Sequence, residues 1–298
     1  MDPVLRVENL SKKFGKRLVL NNVSFSIAKG EIVGFVGPNG AGKTTVMKCC
    51  MGLLKQLSGE ILICGKSVRT QFEQAVANIS YMSDSAIFYD YLSGYDNLKM
   101  YAKLYGTYDP AKLEEIIRYV GMEDRMHDPV KSYSLGMKQR MSLVLAVLNE
   151  PMIVLMDEPM NGLDPEGVIL LRDFITQLAA EKKIAFFISS HNLNELDKVC
   201  ERIITIQNGV IQNELNRDSE QRAVFALSTG DLQKTKEIIS KSFQVKVQEK
   251  AEELVFEIKK EHFNQLMREL VLSDIEIRSL KTLNILEAEY LELFGGKK

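Results

Sequence analysis

Gly37-Pro38-Asn39-Gly40-Ala41-Gly42-Lys43-Thr44 matches the pattern G-x-x-x-x-G-K-[ST] at every position. Glycines at this spacing let successive backbone N–H groups turn inward around phosphate oxygens. A helix that starts at the end of such a loop adds the positive end of its dipole. In that geometry Lys43 meets the β- and γ-phosphates of a nucleotide and the Thr44 hydroxyl ligates Mg²⁺. Asn39, Gly40, Ala41 and Thr45 complete the cradle with the glycines. The ordinary alternative is a glycine turn with no ligand. The apolar run Ile32–Val36 before the loop and the helical pattern through Met51 after it supply the strand-loop-helix context that argues for phosphate.

A second group of candidates lies far down the chain. Ile153-Val154-Leu155-Met156 reads as a buried strand that carries Asp157 and Glu158 to its C-terminal end. Beside a phosphate loop, Asp157 is placed to hold Mg²⁺ through water, and Glu158 to orient or deprotonate an attacking water.

The elements that must position these residues follow from the hydrophobic pattern. Leu5–Val7, Val23–Ile27, Ile32–Val36 and Glu60–Cys64 read as strands, with a turn at Ala28-Lys29-Gly30. From about Ser85 to Glu150 the pattern is helical, with Tyr95–Leu104 and Pro110–Val120 the clearest stretches. A strand-helix alternation then returns with Ile153–Met156, a helix over Gly167–Ala180, and strands at Ile184–Ser189 and Arg202–Gln207. Asn208-Gly209 is a hairpin turn signal. Alternation of this kind predicts an α/β fold around a mostly parallel sheet covered on both faces.

The remainder has its own rhythm. Strand Ala223–Leu227, helix Leu232–Ser240, strands Phe243–Val247 and Leu254–Ile258, helix Phe263–Leu272 and strand Ile275–Ser279 spell β-α-β-β-α-β, the ferredoxin-like order. An amphipathic helix over about Leu283–Phe294 is predicted after it. The chain therefore divides into a larger domain, 1–215, with a helical subdomain at about 85–150, and a small α+β domain, 222–298.

Composition narrows the function classes. The chain has 298 residues, and 38 Lys and Arg stand against 40 Asp and Glu, a net charge of −2. That balance does not favour a strongly basic nucleic-acid binder. The four cysteines, Cys49, Cys50, Cys64 and Cys200, show neither a disulfide framework nor zinc-ligand spacing and read as reduced thiols in a core. The stretch MDPVLRVENLSKKFG has no apolar centre, so it does not read as a signal peptide. No run approaches the ~18 apolar residues of a membrane span.

Further residues complete a recognisable series. Tyr133-Ser134-Leu135-Gly136-Met137-Lys138-Gln139-Arg140, then Asp157-Glu158-Pro159, Asn161-Gly162-Leu163-Asp164 and Ser190-His191 follow the phosphate loop in order. Over roughly Pro3–Gly209 the chain resembles the nucleotide-binding subunit of ABC (ATP-binding cassette) transporters. The resemblance implies a P-loop NTPase cassette with a mixed sheet core and a helical subdomain, ATP and Mg²⁺ as ligands, and ATP hydrolysis by Glu158 and His191. It also implies that Phe14 stacks on adenine, where the family more often has Tyr. Ser134 and Gly136 match signature positions that contact the γ-phosphate bound on an opposing subunit. Asp164 matches the loop at the dimer interface, and His191 the switch histidine. His127 and His262 match no position in the series and read as surface residues.

The resemblance further implies a second ATPase subunit, identical or not, and a transmembrane permease that holds the chain peripherally on the cytoplasmic face of the cell membrane. No nucleic-acid partner is implied. The variant signature and the extra C-terminal domain resemble exporters of drugs, antibiotics or antimicrobial peptides. An importer subunit, or an ABC ATPase acting on ribosomes or nucleic acid, are the other readings. Two departures stand out. Leu135 and Met137 replace a glycine and a glutamine of the common signature Leu-Ser-Gly-Gly-Gln, and a bulky Leu135 is expected to restrict close backbone approach. Asp84 stands where the family has a glutamine that reaches Mg²⁺ and senses the permease; its carboxylate is also an oxygen ligand, but shorter and charged.

Overall fold

The computed structural model describes residues 2–82, 88–216, 222–250 and 252–283. Two units are found, Met1–Leu215 and Asn216–Lys298.

The first unit opens with a long hairpin, β1 (Leu5–Phe14) and β2 (Arg17–Ile27), closed at Phe14↔Arg17. Both strands run well past the apolar segments Leu5–Val7 and Val23–Ile27. The polar halves have no alternation to read, but their backbones still pair, with register shifts between Val7 and Lys13. This extension sets Phe14 at the hairpin tip. β3 (Ile32–Val36) follows the turn at Ala28–Gly30, where the Glu31 carboxylate accepts the Ala28 N–H at 2.7 Å. All five β3 residues are buried. Next come α1 (Lys43–Cys50), β4 (Ser58–Ile63), β5 (Lys66–Ser67), α2 (Phe72–Val76) and β6 (Ile79–Met82). Strands β1, β2, β4 and β5 form an antiparallel sheet in the order β2-β1-β4-β5.

The helical region contains α3 (Gly94–Leu104), α4 (Pro110–Tyr119) and α5 (Leu135–Val147). Each has a side-chain N-cap: Ser93 accepts from Asp96, Asp109 from Ala111 with Pro110 at the first helical position, and Ser134 from Met137. After it come β7 (Ile153–Asp157), α6 (Pro165–Lys182), β8 (Ala185–Ser190), α7 (Leu193–Leu196), β9 (Arg202–Gln207) and β10 (Val210–Asn216). The second sheet has the order β10-β9-β3-β8-β7-β6, in which the pairs β9–β3, β3–β8, β8–β7 and β7–β6 are parallel. Asn208 and Gly209, at φ 50 and 76, form the tight turn between β9 and β10.

The two sheets and α1 enclose one apolar core. Phe25 of the first sheet stacks on Phe187 of the second at 5.1 Å, and Phe35 lies 5.0 Å from Phe187. Because β3, β8 and β7 are adjacent and parallel, their C-terminal ends meet on one edge, with Val36 opposite Ser190 and Ser189 opposite Asp157.

The second unit is β11 (Arg222–Thr229), α8 (Leu232–Phe243), β12 (Val247–Lys250), β13 (Glu253–Lys259), α9 (Phe263–Leu272) and β14 (Ile277–Leu283). Its antiparallel sheet has the order β12-β13-β11-β14, the ferredoxin-like arrangement. Two strands differ from the sequence reading. Phe243 ends α8 rather than opening a strand: it lies one helical turn after buried Ile239, packs on the core, and is followed by Gln244 at φ 53. β12 therefore starts at Val247. Ile275 is buried in the core, but the turn at Asp274, φ 57, delays β14 to Ile277. Leu283 ends β14, and the rest of the helix expected over Leu283–Phe294 lies outside the described residues.

Candidate active site

The phosphate loop leaves the C-terminal end of β3 and enters α1, as its flanking apolar runs require. A Cβ at Gly37 would overlap the Ile206 carbonyl oxygen. Gly42 caps α1 at φ 114, and a Cβ there would lie 2.7 Å from Leu20 Cδ2. Only glycine combines that backbone conformation with that proximity. The loop is pinned to the β9–β10 turn by the Gly209 N–H, which donates to the Ala41 carbonyl at 2.9 Å. Above it opens a groove of about 400 Å³ lined by Phe14, Arg17, Val19, Pro38, Asn39, Gly40, Ala41, Gly42, Lys43, Thr44, Thr45 and Glu158. Phe14 is half exposed at its mouth, with Lys12 Nζ 4.9 Å from the ring centroid.

Lys43 is buried, its side chain 6% exposed. Nζ donates to the Gly37 carbonyl at 2.6 Å and stands 3.3 Å from Glu158 Oε1. Glu158 Oε2 is 2.9 Å from His191 Nδ1, and the His191 N–H donates to the same oxygen at 3.3 Å. The carboxylate is thus held between the loop lysine and the end of β8. Glu158 itself sits at φ 52, the left-handed region that costs a non-glycine residue energy and clusters at functional sites. The Ser189 hydroxyl secures this turn, accepting the Glu158 N–H at 3.0 Å while donating to Asp157 Oδ1 at 2.6 Å. Tyr81 donates to Asp157 Oδ2 at 3.2 Å. Each Asp157 oxygen thus accepts one hydroxyl. This carboxylate and the exposed Thr44 hydroxyl are hard oxygen donors of the kind that suit Mg²⁺ with phosphate oxygens.

Phe14, the loop residues from Gly37 to Thr45, Asp157, Glu158 and His191 therefore converge on one edge of the second sheet. Ser134, Gly136 and Asp164 do not line this groove. Ser134 is exposed at the start of α5, and Asp164 caps α6 by accepting the Gly167 N–H at 2.8 Å. These residues form a second cluster, in which the Leu135 side chain is also more than half exposed. Its bulk lies against Gly162, where a Cβ would come within 2.8 Å of Leu135 Cδ2. Asp84 lies outside the described residues. Tyr81 and Ser189, which orient Asp157, carry no motif signal; they become visible only when β6, β7 and β8 are side by side.

Behind the loop, α1 buries Cys49 and Cys50. Burial pushes the Cys49 thiol up to about 11 and Cys50 further in the same direction, so both stay protonated at neutral pH.

The fold and the loop together define a P-loop nucleotide-binding protein of the ATP-binding cassette type. The family model described as ABC transporter matches residues 20–161. The ABC transporter ATP-binding protein YhcH of Bacillus subtilis is 34% identical over 302 residues, spanning 100% of this chain and 98% of that protein. The bacitracin transport ATP-binding protein BcrA of Enterococcus faecalis is 35% identical over 216 residues, 72% of this chain and 70% of its own. A solved ATP-binding subunit of an ABC transporter superimposes with a TM-score of 0.66 at 30% identity, covering 72% of this chain and 91% of the other. The chain belongs to the ABC transporter family as one of its ATP-binding, ATP-hydrolysing proteins. Among the described residues no helix is long and apolar enough to cross a membrane.

Proposed function

We propose that this chain hydrolyses ATP with Mg²⁺ in the groove above Lys43 and, paired with a second ATPase subunit, drives export of an antimicrobial peptide or related antibiotic through a separate membrane permease. The observation that carries the reading is the row Lys43–Glu158–His191 beside the phosphate loop, an ion pair at 3.3 Å followed by a hydrogen bond at 2.9 Å. The similarity to BcrA, named for bacitracin transport, supports the cargo class.

In this mechanism Phe14 stacks on the base, and the loop amides and Lys43 hold the phosphates. Thr44 and Asp157 would hold Mg²⁺, which neutralises phosphate charge when bound. Glu158 accepts a proton from water as the water oxygen bonds to the γ-phosphorus. The bond from that phosphorus to the β,γ-bridging oxygen breaks, and its electrons leave with ADP. His191 contacts the γ-phosphate and keeps Glu158 aimed. Ser134 and Gly136 of the opposing subunit close the site from the other side, and Asp164 lies at the interface between subunits. Asp84 is assigned to the metal and the permease. The chain sits on the cytoplasmic face of the membrane, held there by the permease.

The test is the chain purified with its permease in nanodiscs, assayed for phosphate release with and without bacitracin. Stimulation by the peptide, lost in Glu158→Gln, is the expected result. Turnover that ignores bacitracin and other antimicrobial peptides overturns the cargo class; absence of any ATP hydrolysis overturns the reading.

A further inference from the structure

Phe14 stands at the tip of a largely polar hairpin, half exposed, where a ring has little apolar surface to rest on. Lys12, two positions earlier, supplies a support. β1 shifts its register on β2 on both sides of Lys12, an irregularity of the kind that re-aims a side chain. Lys12 is partly buried, whereas Lys13, Lys16 and Arg17 around it are exposed. Its Nζ lies over the Phe14 ring, 4.9 Å from the centroid, and donates to the Lys55 carbonyl at 2.5 Å. Phe14 lines the groove above Lys43 and Lys12 does not, so the ammonium stands behind the ring and leaves the groove-side face open.

Lys55 belongs to the segment that leaves α1. The Gly52 N–H donates back to the Cys49 carbonyl at 2.9 Å, and the Leu53 and Leu54 N–H groups donate to the Lys48 carbonyl at 2.9 and 3.2 Å. This fixes the segment to the last turn of the helix. Further on, the Leu57 N–H donates to the Ser11 carbonyl at 2.7 Å, and Ser58 of β4 pairs with Ser11. Lys12 and the residue before it are thus both tied to the exit of α1. The other end of α1 is the phosphate loop, so one helix of eight residues links the phosphate cradle to the support of Phe14. The Lys12 charge is felt in α1 itself, where it opposes the upward push of burial on the Cys49 thiol.

From this we infer that Lys12 is a positioning residue for the adenine base: its ammonium holds the back of the Phe14 ring by a cation–π contact and, through the Lys55 carbonyl, fixes that ring at a set distance from the phosphate loop. Lys12 does not touch the nucleotide. It orders the aromatic platform before the base arrives, so that binding does not have to order it. The inference rests on the proposed function, in which the base stacks on Phe14.

The test is isothermal titration calorimetry on the full chain with two ligands. ADP carries the base and is not hydrolysed; pyrophosphate carries phosphates alone. Lys12→Met should weaken ADP binding about two- to fivefold, the worth of an exposed cation–π contact, and leave pyrophosphate affinity unchanged. Lys12→Arg keeps a cation that can lie on the ring and donate to the carbonyl, and should bind ADP like wild type. In a Phe14→Ala background Lys12→Met should have no further effect on ADP, because the ring through which it acts is gone. Should Lys12→Met fail to fold, Lys12→Gln replaces it: a donor remains for Lys55 but the charge does not, and the same loss for ADP alone is expected. Wild-type ADP affinity in these variants, with Phe14→Ala weakened, overturns the inference and leaves the base site standing. Equal losses for ADP and pyrophosphate, with a lowered thermal midpoint, make Lys12 a structural residue and also overturn it, as does a loss that persists without the ring. Unchanged ADP affinity in Phe14→Ala would instead refute the base site of the proposed function, and the inference with it.

Discussion

Glu158→Gln separates the chemistry from the binding. The glutamine keeps the shape of the side chain but has no basic carboxylate to take a proton from water. General-base catalysis typically contributes about 10²–10⁴ in rate, equivalent to about 3–5 kcal/mol of barrier. The same change removes the charge that faces Lys43 at 3.3 Å and His191 at 2.9 Å in a place where Glu158 is 15% exposed. Breaking a buried ion pair by removing one partner costs up to about 3–5 kcal/mol of stability. Here Lys43 keeps its 2.6 Å bond to the Gly37 carbonyl, so a loss of about 1–2 kcal/mol is the better figure. The variant therefore stays folded, and its turnover loss is far larger than any loss of folded protein. Phosphate release at saturating ATP should fall at least about a hundredfold. A nucleotide-binding assay should show retained affinity, and size-exclusion chromatography with ATP should show an accumulated dimer. Turnover within about threefold of wild type would refute the assignment of Glu158, since so small a change is less than 1 kcal/mol of barrier. Lys43→Ala provides the contrast: charge-assisted hydrogen bonds to phosphate, about 1.5–3 kcal/mol, are lost, so ATP affinity itself should weaken about ten- to hundredfold.

Three further outcomes are expected. Phe14→Ala should weaken ATP binding by about 1–3 kcal/mol of lost base stacking while leaving tripolyphosphate affinity unchanged, and Phe14→Tyr should bind like wild type; equal losses for both ligands would remove Phe14 from the base site. Mixing Ser134→Ala subunits with Lys43→Ala subunits should leave one composite site intact and restore some turnover over either parent; no recovery in confirmed mixed dimers would show a site complete within one chain or strict coupling of both. Burial raises the Cys49 thiol from its ordinary 9.0 to about 11, so its contribution to stability is fully present below pH 9 and is lost as pH climbs through 11, because the unfolded chain ionises first. Thermal midpoints recorded from pH 8 upward should fall more steeply in wild type than in Cys49→Ala, and a thiol reagent at pH 8 should leave Cys49 and Cys50 unlabelled until the protein is denatured.

Several parts of this protein could be read residue by residue because their physics is local. Gly42 is required by its own backbone angle, and the helix predicted from Pro110 does start there, at a residue of fixed φ behind the Asp109 cap. The wholly buried strands β3, β7 and β8 appear as short apolar runs, and the parallel sheet that they imply brings the phosphate loop and Asp157-Glu158 to one edge. The β-α-β-β-α-β order of the second unit was readable for the same reason, although Phe243 and Ile275 were misleading because apolar character alone does not say whether a residue ends a helix or begins a strand.

What the sequence alone did not decide is who touches whom. The polar halves of β1 and β2 pair through backbone groups that every residue carries, so no side-chain pattern marks how far the hairpin extends or that Phe14 stands at its tip. Tyr81 reaches Asp157 across 76 positions, Ser189 across 32, and Gln139 reaches Asn161 across 22. Such contacts depend on sheet order and on how α5 lies against the loop after Glu158. Both are settled by burial of the common core rather than by the residues that meet. Leu135 illustrates the difference. From sequence it was a bulky side chain where close backbone approach is expected; in the folded chain that bulk faces Gly162, a residue 27 positions away whose missing side chain leaves the space for it.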